Sequence, residues 1–176
     1  CVKRGADLSE QEWRALWQFY LTTVSRKWSY PYLNQAFFDY LRDVAPHRVL
    51  ATLAYRDEHP IGGALFLTRG DALFGRYWGA TEPLDFLHFE LCYYLPLEWC
   101  LENGINRFET GAQGEHKIKR GFLPQLCSSV HWFEHQGMSD AIEAYLSQER
   151  AHSDATREAL ERYSPFRSPQ DGQAEE

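Results

Sequence analysis

Residues 72–110 read ALFGRYWGATEPLDFLHFELCYYLPLEWCLENGINRFET, and they decide the fold. Ala72 to Trp78 is an apolar, aromatic-rich run of strand character. Gly79-Ala80-Thr81-Glu82-Pro83 then opens a helix over roughly Leu84 to Glu102, with a proline near its first turn. Asn103-Gly104 closes that helix. Pro96 lies within it and predicts a kink, because its nitrogen has no proton for the carbonyl of Cys92. Ile105 to Thr110 is a second strand. A helix between two strands makes them parallel with a right-handed crossover. Their carboxyl ends then lie side by side beneath the helix N-terminus, where open α/β sheets bind ligands.

Working outward, the N-terminal side supplies the rest of a mixed sheet. Val2 to Arg4 is a short strand, and Ser9-Glu10-Gln11-Glu12 fits a capping box. Trp13, Leu16, Trp17, Tyr20, Leu21 and Val24 follow at helical spacing. Asn34 caps a second helix, stapled by Leu33 and Phe38 and ending at Ala45 before Pro46. The period then changes to two: Val49, Ala51, Leu53 and Tyr55 alternate with their neighbours. Asp57 to Pro60 is a turn, Ile61 to Thr68 a strand, and Arg69-Gly70-Asp71 joins it to Ala72. Three strands with tight turns form an antiparallel meander. On the C-terminal side, Ser128 to Phe133 is expected as a last strand and Ser139 to Tyr163 as a helix. The class is α/β, with a single domain over residues 1–163 and a disordered polar tail over 164–176.

Composition narrows the function classes. At 176 residues, with 15% aromatics, the chain can build one hydrophobic core. A net charge of −7 argues against nonspecific coating of nucleic acid or an anionic membrane. The four cysteines (Cys1, Cys92, Cys100, Cys127) show no zinc spacing, so no metal is expected and a reducing compartment is favoured. With no signal peptide or membrane-length apolar run, a cytoplasmic chain without membrane insertion is expected. It begins with Cys1, so the expectation is a fragment of a longer protein.

The chemistry-bearing stretch is GAQGEHKIKRGFLP, Gly111 to Pro124. The parallel-strand geometry would gather Arg76 and Tyr77 from one strand, His88 from the helix start, and Glu115, His116 and Lys117 from this loop. His116 suits a general base, with Glu115 as the other candidate; the competing readings are a solvated histidine and a helix-capping carboxylate. Gly111, Gln113 and Gly114 would let backbone approach a ligand, although the glycines also serve backbone shape alone. Lys117, Lys119 and Arg120 individually read as a solvated face and as a cluster suit phosphate, with Arg76 joining Lys117 and Arg120 in holding donor phosphate. Glu90 does not share a helix face with His88 and is the weaker candidate. His131 and His135 mimic an i, i+4 ligand pair, but on a strand four residues span about 13 Å, which excludes zinc there. Cys127 has no activating partner.

The order of these elements resembles the GNAT, or acyl-CoA N-acyltransferase, fold. More specifically the chain resembles a bacterial FemAB-like family of peptidoglycan biosynthesis/recognition and predicted N-acyltransferase proteins. The resemblance rests on Arg26-Lys27-Trp28, Tyr32-Leu33, Ala36-Phe37-Phe38, Gly75 to Gly79, Phe86 to Tyr94, Gly111 to Lys117, Arg120 to Pro124 and Ser164-Pro165-Phe166. It implies a GNAT-like domain with splayed parallel strands, the C-terminal half of a protein with two such halves. It also implies acyl or aminoacyl transfer to an amine, in peptidoglycan precursor modification, with acyl-CoA or aminoacyl-tRNA as donor substrate and no tightly bound cofactor. Arg76, Tyr77, His88, Gly111, Gln113, Gly114, Lys117 and Arg120 would bind substrate or donor. The usual Arg/Gln-x-x-Gly-x-Gly/Ala pyrophosphate loop is replaced by Gly79-Ala80-Thr81-Glu82-Pro83-Leu84, which weakens the case for CoA there. The alternatives are a non-catalytic half that recognises peptidoglycan or another ligand, and a dimerisation module built on the aromatic surplus.

Overall fold

The computed structural model describes residues 1–26, 30–111 and 115–166. The chain divides into two compact units, Cys1–Gly111 and Ala112–Glu176.

The first unit holds a five-stranded mixed sheet in the order β1 (Val2–Arg4), β2 (Val49–Arg56), β3 (His59–Arg69), β4 (Ala72–Ala80) and β5 (Arg107–Glu109). The first four strands pair antiparallel, and β4 pairs parallel with β5. The parallel pairing follows from the helical crossover between the two strands. The β2–β3 hairpin turns on Asp57 and Glu58, both at positive φ (46° and 65°), a geometry matching the right-handed twist of the strands.

Both faces of the sheet are covered. The helices α1 (Glu10–Arg26) and α2 (Gln35–Asp43) bury Leu16, Phe19, Tyr20, Phe38 and Leu41 against Val49, Ala51, Leu53 and Leu65. Leu50, Ala64, Phe66 and Leu73 point the other way and meet Leu91 and Cys100. Alternation along β2 therefore sorts side chains between two cores, not between core and water. The predicted caps form. Glu12 Oε2 accepts from Ser9 N at 2.7 Å while Ser9 Oγ accepts from Glu12 N at 3.3 Å, and Asn34 Oδ1 accepts from Phe37 N at 3.1 Å.

The long helix expected from Leu84 to Glu102 begins later and changes pitch. After Phe86, at φ 64°, a short α3 (Leu87–Phe89) runs into a π-helical turn (Glu90–Tyr94) and then α4 (Leu95–Glu102). Pro96 supplies the reason: it cannot donate, and its ring crowds the preceding turn. Leu95 N instead donates to Glu90 O, five residues back. In that wider register the carbonyl of Leu91 faces proline. Thr52 Oγ1, fully buried, donates to it at 2.6 Å.

The second unit carries a 3-10 turn (Glu115–Arg120) and a long helix, α5 (Gln136–Glu161). The expected strand Ser128–Phe133 is not formed, and residues 122–133 have no regular secondary structure. Val130 and Trp132 are 98% and 82% exposed. Their β-branched and aromatic character expresses a local preference, which becomes a strand when a partner supplies a ladder and a face to pack on. Phe166 lies over Gly121 (φ 87°), where any other residue would place a Cβ, so two distant stretches, Arg120 to Pro124 and Ser164 to Phe166, meet.

Candidate functional site

The β4–β5 ladder consists of Ala72↔Arg107, Leu73↔Phe108 and Phe74↔Glu109. From Gly75 onward β4 continues with no β5 partner in the ladder. Against β3, Leu65 lies opposite Tyr77 and Phe66 opposite Gly75, so Arg76 is an extra, bulged residue. A bulge bends its strand and re-aims the side chain it carries. Where the parallel strands part, a hollow of about 100 Å³ opens, lined by Arg76, Tyr77 and Trp78 of β4, by His88, Cys92 and Tyr93 of the helical crossover, and by Thr110 just past β5.

His88 is held by rings. Its centroid stands 4.5 Å from Trp78 and 5.4 Å, edge-on, from Tyr93. The π turn places both Cys92 and Tyr93 beside His88, because widening the helix brings i+4 and i+5 toward one face.

Tyr77 belongs to an aromatic group with Tyr20, Tyr32 and Phe38. Its hydroxyl stands 2.7 Å from that of Tyr32, and Arg76 Nη2 donates to it at 3.4 Å. The Arg76 guanidinium also lies 5.5 Å from the Tyr77 ring centroid. Burial, then the hydrogen bond with Tyr32, pushes the Tyr77 phenol up to about 12, so it stays protonated at neutral pH. Tyr20 Oη accepts from Leu33 N at 3.2 Å, which ties the segment carrying Tyr32 to α1.

The sequence candidates fall into three sets. Arg76, Tyr77 and His88 meet at this hollow, whereas Glu90 is exposed and does not line it. Gly111, at φ 81°, follows Thr110 at the end of the first unit. Gln113, Gly114 and the side chain of Glu115 lie outside the described residues. His116, Lys117 and Arg120 stand together on the 3-10 turn of the second unit, where Arg120 Nη1 donates to His116 O at 2.8 Å. Thr110, Cys92, Tyr93 and the role of Tyr32 at the hollow come from the structure alone. Pro96 was the available signal for the helix residues, since a proline there predicts an altered pitch in the preceding turn.

Chemically, the hollow offers a guanidinium for an anion, phenols as hydrogen-bond donors and an imidazole able to carry a proton. Among the described residues, no group of three or more His, Cys, Asp or Glu is placed to hold a metal ion. No described helix is long and apolar enough to cross a membrane. Cys100 is buried, and burial pushes its thiol up to about 11, which leaves it an inert core residue.

Comparison with curated proteins gives no match. A family model, FemAB-like, described as peptidoglycan biosynthesis/recognition, matches residues 1–168 and so extends across both compact units. The chain belongs to this FemAB-like family of peptidoglycan biosynthesis or recognition.

Proposed function

We propose that this protein transfers an activated acyl or aminoacyl group to an amine during peptidoglycan precursor modification, on a GNAT-like frame. The observation that carries the reading is the hollow at the parting of β4 and β5, with a bulged arginine and a ring-held histidine beside the part of β4 that lies beyond its ladder with β5. In this reading the amine attacks the acyl carbonyl, and backbone N–H groups along that part of β4 stabilise the oxyanion. His116 or Glu115 takes the proton from the amine, and Lys117 and Arg120 hold donor phosphate. The tetrahedral intermediate collapses by expelling the CoA thiolate or the tRNA ribose hydroxyl, which receives that proton. Arg76 holds an anionic group of the substrates.

The stretch from Gly79 to Leu84 supports a donor whose pyrophosphate lies elsewhere. The Glu82 carboxylate there is ion-paired with Arg56, and the carbonyl of Phe19 presses on Gly79. Both donor classes, acyl-CoA and aminoacyl-tRNA, remain within the proposal. In a transferase assay with donor and amine supplied, His116→Ala and Glu115→Gln should each lower turnover about tenfold or more. If neither slows it, the base assignment fails.

The family description names recognition beside biosynthesis, which favours one second reading: a half that binds its ligand and carries out no transfer. It predicts ligand-dependent stabilisation with no acylated product. Mass spectrometric detection of an acylated amine formed by the chain would exclude it.

A further inference from the structure

We propose that Arg76, Tyr32 and Tyr77 form a carboxylate subsite beside the hollow, which holds the amine acceptor by a carboxylate of the same molecule. Its assignment to the acceptor rests on the transferase reading; the subsite itself does not.

Three observations carry the proposal. Among the described residues, Arg14, Arg42, Arg56, Arg107 and Arg157 each pair with a carboxylate of their own chain. Arg4 and Arg26 bond to neutral groups, the Asn103 amide and the Ala80 carbonyl, and Arg76 contacts Tyr77, through a long hydrogen bond and the ring face. Stacking against an aromatic ring leaves the edge of a guanidinium open to a carboxylate, which it fits as a planar fork. The bulge presents that group at the hollow, on an exposed side chain.

The phenols supply the second observation. Tyr32 and Tyr77 share one hydrogen bond, at 2.7 Å. Two neutral phenols have two protons, so one O–H is left for an acceptor outside the pair. If Tyr77 accepts from Arg76 and donates to Tyr32, the remaining proton is on Tyr32, whose residue is 72% exposed.

Charge and size supply the third. One guanidinium and neutral donors match the single charge of a carboxylate better than a phosphate dianion, which favours several cations or a nest of backbone N–H groups. A hollow of about 100 Å³ suits a small amino and carboxylate group. The ligand class is therefore a small amino acid or peptide bearing both groups.

The full chain is titrated with glycylglycine, glycylglycinamide and inorganic phosphate, following the Trp78 indole N–H signal by NMR. Glycylglycine should bind at least tenfold more tightly than the amide, which lacks the carboxylate, and more tightly than phosphate. Arg76→Lys should lose about tenfold for glycylglycine, since an ammonium cannot make the forked contact. Tyr32→Phe should lose severalfold. Equal binding of peptide and amide, phosphate binding best, an unchanged Arg76→Lys protein or no glycylglycine binding would each overturn the subsite. Thermal unfolding of both variants guards against misfolding. None of the probes is an activated donor, so this result is separate from transfer. Arg76-dependent binding without turnover would sink the transferase reading alone, and turnover without Arg76-dependent binding would sink the subsite alone.

Discussion

Thr52 shows how one proline is felt across the core. Pro96 leaves the Leu91 carbonyl without its donor in the π register, and the Thr52 hydroxyl replaces that donor from β2. Thr52→Val keeps the shape and removes the proton, so a buried carbonyl is left unsatisfied. Urea unfolding should show a loss of about 1–3 kcal/mol, and an unchanged midpoint would refute the account. Glu12 makes a second prediction at this scale. Burial raises its carboxyl, but hydrogen bonds from Lys3, Tyr55 and Ser9 outweigh that and carry it from 4.5 down to about 2. A carboxyl held low in the folded state stabilises fully above its unfolded value and loses that contribution as pH falls through the folded one. The gap in melting temperature between native protein and Glu12→Gln should therefore be constant above about pH 4.5 and close toward pH 2. A gap independent of pH over that window would contradict it.

Among the elements, β4 has the most to satisfy. Its bulge aims Arg76, its first three residues pair with β5, and its far end lies under α1. At Gly79 an added Cβ would stand 2.7 Å from the Phe19 carbonyl carbon and 2.9 Å from its Cα, both backbone that cannot step aside. Thr23 Oγ1, donating to Trp78 O at 2.6 Å, holds the same helix in place. Gly79→Ala should cost about 1–3 kcal/mol in urea unfolding. Gly62→Ala should cost less, because the nearest atom is Leu87 Cδ2 at 3.0 Å, the end of a flexible side chain. Equal losses would mean that α1 is not pressed on β4 as described. The crossover offers a structural counterpart. Pro96→Ala restores a donor and should let residues 90–94 close into an α-helix, which turns Tyr93 away from His88. The His88 ring protons would then lose the ring-current shift from Tyr93, and an unaltered shift would show that the π turn has another cause.

At the scale of the whole molecule, family membership spans residues 1–168, and the donor question is decided by binding. A ligand at about 100 times its dissociation constant stabilises by about 2.7 kcal/mol. Screening CoA, acyl-CoA, aminoacyl-tRNA and muropeptides by thermal unfolding should raise the midpoint with an activated donor and with a muropeptide. A rise with muropeptides alone would favour recognition over transfer. Much of this architecture was legible in the residues. Ser9 and Glu12, Asn34, the alternation through β2 and the two-strand unit around Leu84–Glu102 each depend on neighbours a few positions away. The strand expected at Ser128–Phe133 failed because residue preference was read without a pairing partner. The bulge at Arg76, the π turn before Pro96 and the docking of Tyr32 on Tyr77 were not legible, for they depend on groups 11 to 45 positions apart (Leu65 with Arg76, Thr52 with Leu91, Tyr32 with Tyr77). Local hydrogen bonding, periodicity and chain chirality thus determined the elements and the parallel direction of β4 and β5. Tertiary packing decided where those strands part and which side chains face the hollow, because contacts between distant segments have no signature in either one alone.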